Sequence, residues 1–176
     1  MNVMNRIVPN MDKVSIIMNG GNPTAPFQYG LFNDAATAIG AQYQDLDVRL
    51  PTETVPAITA AHDFETKALF NGVDSFINSQ RFVINQLCTE FFIPTFFTDR
   101  EYVLAGGLLS LGPGHLEGYF HAPDYIKAIL VDGADPADLP IRSPTEFEFS
   151  VSRSKLAFFG LTLPPDIEER VNEWLP

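Results

Sequence analysis

The feature that most constrains this chain is a repeated alternation of short apolar, β-prone runs with longer helical stripes, each pair separated by a loop rich in Gly, Asn or Pro. Val14-Ser15-Ile16-Ile17-Met18 breaks at Asn19-Gly20-Gly21-Asn22-Pro23 and reads as a buried strand ending in a loop. Phe27, Leu31, Ala35 and Ile39 then recur every fourth residue and Gly40 stands where a helix would stop, which predicts a helix from about Ala25 to Ile39. Tyr43, Leu46, Val48 and Leu50 lie in the next β-like stretch. Pro51-Thr52-Glu53 opens a weaker helical pattern through Val55, Ile58 and Ala61. Val73 to Ile77 reads as a third strand, Asn78-Ser79 as a loop, and Gln80 to Phe91 as a helix carrying Phe82, Val83, Leu87 and Phe91. Ile93 to Phe97 is a fourth strand and Thr98 to Glu101 a polar loop or helix start. Gly107 to Leu111 is a fifth strand, closed by Gly112-Pro113-Gly114.

After these units come a helix from Tyr119 to Leu130 with Pro123 inside it, a turn-rich connector from Gly133 to Pro140, and an alternating strand from Glu146 to Val151. Two short helices close the chain, the second opened by Pro164-Pro165-Asp166 and running to Trp174. Strand-helix alternation with short loops predicts an α/β fold, a mostly parallel sheet with helices on both faces, over residues 1–176 as a single domain. A chain of 176 residues is long enough for one ordinary core and too short for two.

Charge narrows the partners. Eleven Lys and Arg against 22 Asp and Glu give a net charge of -11, so a nucleic acid is repelled by the protein as a whole. Charged residues make up only 19% of the chain and there are 15 Phe, so more apolar surface is expected than a lone globule hides, and a partner surface is expected to meet it. Cys88 has no second cysteine to pair with and reads as a core filler. His62, His115 and His121 have no zinc-site spacing, so no metal or other cofactor is expected. Met1 to Arg6 reads as neither a secretory signal nor a transit peptide, and no run of about 18 apolar residues is present.

In a sheet of this kind ligands bind beyond the carboxyl ends of the strands. Three polar clusters fall there. In Asn19, Gly20, Gly21, Asn22 and Thr24, the glycines let a ligand approach the backbone and the N–H groups of the following helix face an anionic group; a plain Gly-Asn turn explains the same residues. Asn78 and Ser79 can donate to and accept from a polar ligand, or can cap a helix. Asp99, Arg100 and Glu101 place a carboxylate where it can accept hydrogen bonds from an ammonium or hydroxyl, with Arg100 keeping the cluster ionised; the competing reading is an N-cap at Asp99 beside a solvated arginine. Catalysis has little support. There is no Gly-x-Ser-x-Gly elbow, no nucleophile beside a base, and one thiol where a two-thiol racemase needs two.

Asp99 to Pro113, reading Asp-Arg-Glu-Tyr-Val-Leu-Ala-Gly-Gly-Leu-Leu-Ser-Leu-Gly-Pro, resembles a run typical of ABC transporter substrate-binding proteins of the tryptophan/tyrosine-uptake type. Gly133 to Pro140, Pro144 to Phe149 and Ala157 to Pro165 are similar to further motifs of that family, as are Ile7-Val8-Pro9 and Asn19 to Pro23 near the start. The resemblance implies a periplasmic-binding-protein type I fold, in which two α/β lobes close on a small solute and deliver it to a membrane permease. The chain would correspond mainly to the second lobe, so a second chain or a second copy would have to supply the other wall. It implies a solute such as an amino acid, an ABC permease as partner if the protein is exported, a periplasmic location, and no catalysis. Relative to the family pattern, Asn19-Gly20 stands in place of a first Asn-Pro pair and Leu111 in place of a tyrosine. By position the family's ligand loops fall on the same three clusters, and Asp99 would take the ammonium of an amino-acid ligand. The alternative is an α/β module that transports nothing and self-associates through its exposed apolar face.

Overall fold

A computed structural model describes residues 1–114 and 117–176. Among them, β1 (Lys13–Met18), β2 (Gln42–Asp47), β3 (Ala68–Asn71), β4 (Thr95–Phe97), β5 (Leu109–Pro113), β6 (Phe147–Ser152) and β7 (Glu173–Leu175) form one sheet in the order β2-β1-β3-β4-β5-β6-β7. All neighbours are parallel except β5 and β6, which run antiparallel with Leu109 opposite Val151. Val14 of β1 lies between Tyr43 of β2 and Ala68 of β3. The order of the first five strands reverses direction at β1, which opens a crevice between the loops that leave β1 and β3.

Strand composition follows position. Central β1 and β3 are covered on both faces and read as continuous apolar runs, whereas edge strand β2 is polar and buries only Leu46 fully. The two-residue period of a strand divides the core in two. Val14, Ile16, Met18, Phe70 and Phe96 point to one side. They meet α1 (Asn2–Ile7), α2 (Ala25–Ala38), α8 (Arg153–Phe159) and α9 (Pro165–Glu168). Ile17, Leu69 and Phe97 point to the other side. They meet α3 (Thr54–Asp63), α4 (Ser75–Ser79), α5 (Arg81–Glu90) and α6 (Arg100–Leu104). Cys88 is buried within this second core, and burial pushes its thiol well above the usual range, so it is inert filling.

Three expectations need correction. The third strand is Ala68–Asn71 and not Val73–Ile77; Ser75–Ser79 is helix, because the Asp74 carboxylate accepts the N–H groups of Phe76 and Ile77 and so starts a helix there. Asn78 and Ser79 accordingly sit in that helix and not in a loop. At the end of the chain the last helix stops at Glu168. Glu173–Leu175 then pairs with β6, whose edge would otherwise stay open.

The helix α7 (Glu117–Leu130) belongs to neither core. Among the described side chains from 118 to 147 none is buried, and Tyr119, Phe120, Leu130 and Val131 are each about three-quarters exposed while Ile141 is fully so. This segment is an arm held mainly to itself: the Tyr125 hydroxyl donates to the Pro140 carbonyl at 2.5 Å, and Arg142 donates to the His121 ring at 2.8 Å. His115 lies outside the described residues.

Candidate functional site

The site is built by three strand ends. Leaving β1, the loop 19–24 is folded by its own side chains: Asn19 Oδ1 accepts the Gly21 N–H at 2.9 Å, and Asn22 Oδ1 accepts from both the N–H and the hydroxyl of Thr24. Gly20 donates its N–H to Asp47 at 2.7 Å and is packed so closely on that carboxylate that a Cβ would collide with it. Leaving β3, Asp74 has two tasks. Its Oδ1 starts α4, while its Oδ2 accepts from Asn22 Nδ2 at 2.7 Å and Asn19 Nδ2 at 3.4 Å. Gln28 of α2 adds a second tie by accepting the Val73 N–H at 2.8 Å and donating to the Thr24 hydroxyl. The loops from β1 and β3 are therefore fixed to one another.

Leaving β4, Asp99 caps α6 by accepting the Glu101 N–H at 2.8 Å. Arg100 points away, into a bidentate pair with Glu173 of β7 at 2.5 and 2.7 Å. The guanidinium, aided by the Ser150 hydroxyl, holds the Glu173 carboxyl below its usual range. Gly112 of β5 touches the backbone here: a Cβ would land on the Thr98 carbonyl oxygen, so only glycine lets β5 pass this strand end.

These three ends enclose a cavity of about 250 Å³ lined by Asn22, Asn71, Val73, Asp74, Ser75, Asn78, Thr98, Asp99 and Tyr102. Its lining carries two carboxylates and no Lys, Arg or His. Asn71 and Tyr102 are 2% and 1% exposed; the buried Asn71 Oδ1, Asn78 Oδ1 and Tyr102 hydroxyl make no well-formed hydrogen bond, although the Asn71 side chain lies close enough to the Tyr102 oxygen to favour its ionised form. Such groups are costly to leave unpaired, and three of the residues lining this cavity carry one. The Tyr102 ring is stacked on Phe97 at 4.2 Å, which fixes where its hydroxyl points. Burial raises the Tyr102 pKa, so it is a neutral phenol at physiological pH.

The structure thus brings together Asn22, Asn78 and Asp99 from the three sequence clusters. Gly20, Gly21 and Thr24 shape the β1 loop without lining the cavity. Ser79 donates back to the Phe76 carbonyl, and Arg100 and Glu101 lie outside. Sequence reasoning missed Asn71, Val73, Asp74, Ser75, Thr98 and Tyr102. The Asn71-Gly72 break after Ala-Leu-Phe would have placed the strand end correctly, and Tyr102 follows Asp99 by three residues, one helical turn from the cap. A second, more apolar hollow of about 470 Å³ lies between α7 and the connector 136–144, far along the chain from these loops.

Residues 1–174 match the family profile described as ABC transporter substrate binding protein. Among curated proteins no sequence match is found. The fold is similar to a conserved domain protein from Vibrio cholerae O1 biovar El Tor (TM-score 0.90, 19% identity), with 99% of this chain aligned to 58% of that one. It is also similar to an ABC domain in complex with L-Trp from Streptococcus pneumonia (TM-score 0.89, 17% identity, 99% of this chain and 60% of that one). A ligand-free, open substrate-binding protein with adhesive properties from Clostridium difficile aligns with a TM-score of 0.74 at 16% identity, over 99% of this chain and 57% of that one. The chain spans about three-fifths of the length of these structures.

Proposed function

Because the chain belongs to the ABC transporter substrate binding protein family, we propose that it binds an amino acid or a similar small organic solute for an ABC import system, without transforming it. The observation that carries this reading is the polar cavity at the carboxyl ends of β1, β3 and β4, lined by asparagines, hydroxyls and two carboxylates. In this reading Asn22 and Asn78 contact the solute, and Asp99 takes its ammonium group. Gly20, Gly21, Thr24, Ser79, Arg100 and Glu101 hold the loops in place around it. The protein works beside a membrane permease in the periplasm; among the described residues no helix is long and apolar enough to cross a membrane. L-Trp in the pneumococcal relative makes aromatic and branched amino acids the first solutes to try.

We further propose that the chain serves as one lobe of a two-lobed protein, with the arm from α7 to Phe147 packing on the other lobe. The unburied apolar side chains of that arm, and relatives longer than this chain that align with nearly all of it, support this. A self-associating module that binds no solute is the competing reading.

A thermal-shift screen against amino acids and other small solutes tests the function. A solute at about 100 times its dissociation constant adds about 2.7 kcal/mol, or about 5–10 °C in Tm for a domain of this size. A saturable shift is expected. A folded chain that shifts with no solute contradicts the reading.

A further inference from the structure

We propose a second binding site at the opposite end of the sheet: the hollow at the amino ends of β1, β3 and β4, which takes a small apolar molecule carrying one carboxylate, its body against Phe92 and its charge beside Lys67. The proposal is independent of the solute-binding reading, because the hollow and the solute cavity share no residue.

The hollow has a volume of about 490 Å³, the size of a small-molecule pocket, and its walls are mostly apolar, formed by Pro9, Phe91, Phe92, Pro94, Phe159 and Leu161. It lies where the chain enters three parallel strands, so the length of β1, β3 and β4 separates it from the cavity at their other ends. Its rim is built at a conformational cost. Helices α3 and α5 end in the same left-handed closure: the Glu65 and Thr66 N–H groups donate to the His62 and Ala61 carbonyls, and the Phe92 and Ile93 N–H groups to the Thr89 and Cys88 carbonyls. Glycine is usual at the left-handed position, yet Glu65 stands there at φ 62° and Phe92 at φ 58°. Among the described residues Asn10 is the only other non-glycine with a positive φ, and it follows Pro9 of the same hollow. Glu65 is accounted for by Lys13, whose ammonium donates to its carboxylate at 2.7 Å. Packing accounts for only part of Phe92, which touches Phe158 and Phe159 at ring distances of 5.4 and 5.1 Å but stays 57% exposed. A strained, exposed aromatic ring on the lip of an apolar hollow is placed to receive a guest. Charge selects which guest. With Glu65 engaged by Lys13, Lys67 makes no ion pair among the described residues, and the His62 ring lies flat on Phe91 at 4.5 Å, with its nitrogens unbonded among those residues. An aryl or alkyl body covers the apolar wall, while a carboxylate at the mouth pairs with the Lys67 ammonium and accepts an N–H from His62. An amine there meets Lys67 as a like charge.

Three matched molecules read both ends of the guest: 4-phenylbutanoate, 4-phenylbutan-1-ol and 4-phenylbutylamine are titrated into the 15N-labelled full chain. We expect the carboxylate to give saturable amide shifts on residues 8–10, 62–67, 91–94 and 159–161, with the alcohol at least threefold weaker and the amine weaker again. Lys67→Gln, at an exposed position, should bring the carboxylate down to the alcohol's affinity. Phe92→Gly should weaken the carboxylate at least tenfold while leaving the unliganded Tm unchanged or higher, since glycine suits the left-handed position; a merely structural ring would lower Tm on removal. Shifts that miss these residues, an alcohol or amine that binds as well as the acid, or wild-type affinity in either variant overturns the proposal, as does the absence of any shift. A dimer in sedimentation that Phe92→Gly breaks would assign the hollow to a second copy of the chain and overturns it as well. The solute-binding reading is tested separately, by amino acids at the other end of the sheet.

Discussion

Two aspartates separate scaffold from site at the level of single residues. Asp74 is committed: four N–H groups, from Phe76, Ile77, Asn22 and Asn19, converge on its two oxygens. Replacing it with Ala removes a helix cap and unties two loops, and a loss of about 1–2 kcal/mol in denaturant-unfolding free energy is expected. Asp99 has one oxygen on the Glu101 N–H and a place on the cavity wall. Asn caps a helix about as well as Asp but carries no charge. Asp99→Asn should therefore keep the fold's stability while weakening an ammonium-bearing solute at least tenfold by calorimetric titration, whereas Asp99→Ala should lose about 1 kcal/mol of stability as well. Full affinity in Asp99→Asn would remove this residue from the site. The sequence already offered Asp99 as either a cap or a ligand contact, and the structure gives it the geometry of a cap at the edge of the cavity.

At the scale of elements, α6 is held from two sides. The Arg100–Glu173 pair ties its first residue to β7, and Gly112 lets β5 pass under Thr98. Because Glu173 is held below its usual pKa in the fold, its contribution is full above the unfolded carboxyl pKa of about 4.3 and is lost as pH falls through the depressed folded value. Glu173→Gln should accordingly lower Tm at pH 7, by an amount equivalent to about 1 kcal/mol or less for a pair one-third exposed, with the gap to wild type closing below about pH 4. Gly112→Ala should displace Thr98 and with it Asp99, costing solute affinity as well as stability. A binding isotherm and a melt of the same sample check both. The strand-helix alternation made the sheet and both helical layers legible, since each period was set by burial. What stayed illegible was set by single polar contacts. Asp74 turns Ser75–Ser79 into helix, although Val73 to Ile77 reads as strand, and only the open edge of β6 explains why Glu173–Leu175 is extended. Tyr102 was hidden because its burial depends on the stacking of Phe97 and not on any periodicity.

The whole molecule divides into a packed sheet with its two cores and an arm that neither core covers. A 14-residue helix that joins neither core and contacts mainly its own connector is marginal in water. Amide hydrogen exchange should therefore show α7 exchanging far faster than β1, β3 or β5 in the isolated chain, and slowing when a second lobe is supplied. Polar replacements at Phe120 and Val131 should change the Tm of the isolated chain little while weakening that association. The -11 charge and the apolar excess read from composition both find their place here: acid residues line the cavity and cover the surface, and Phe, Tyr and Leu remain exposed along the arm. The central claim is that the cavity between the β1, β3 and β4 loops holds a solute. It is tested most directly by mapping backbone and side-chain amide shifts in a 15N-labelled sample titrated with L-tryptophan and, separately, with L-leucine. Saturable changes clustered on residues 19–22, 71–79 and 98–102 are predicted for the solute that binds. A spectrum that stays unchanged with both, or changes clustered on the hollow at 136–144, would contradict the claim.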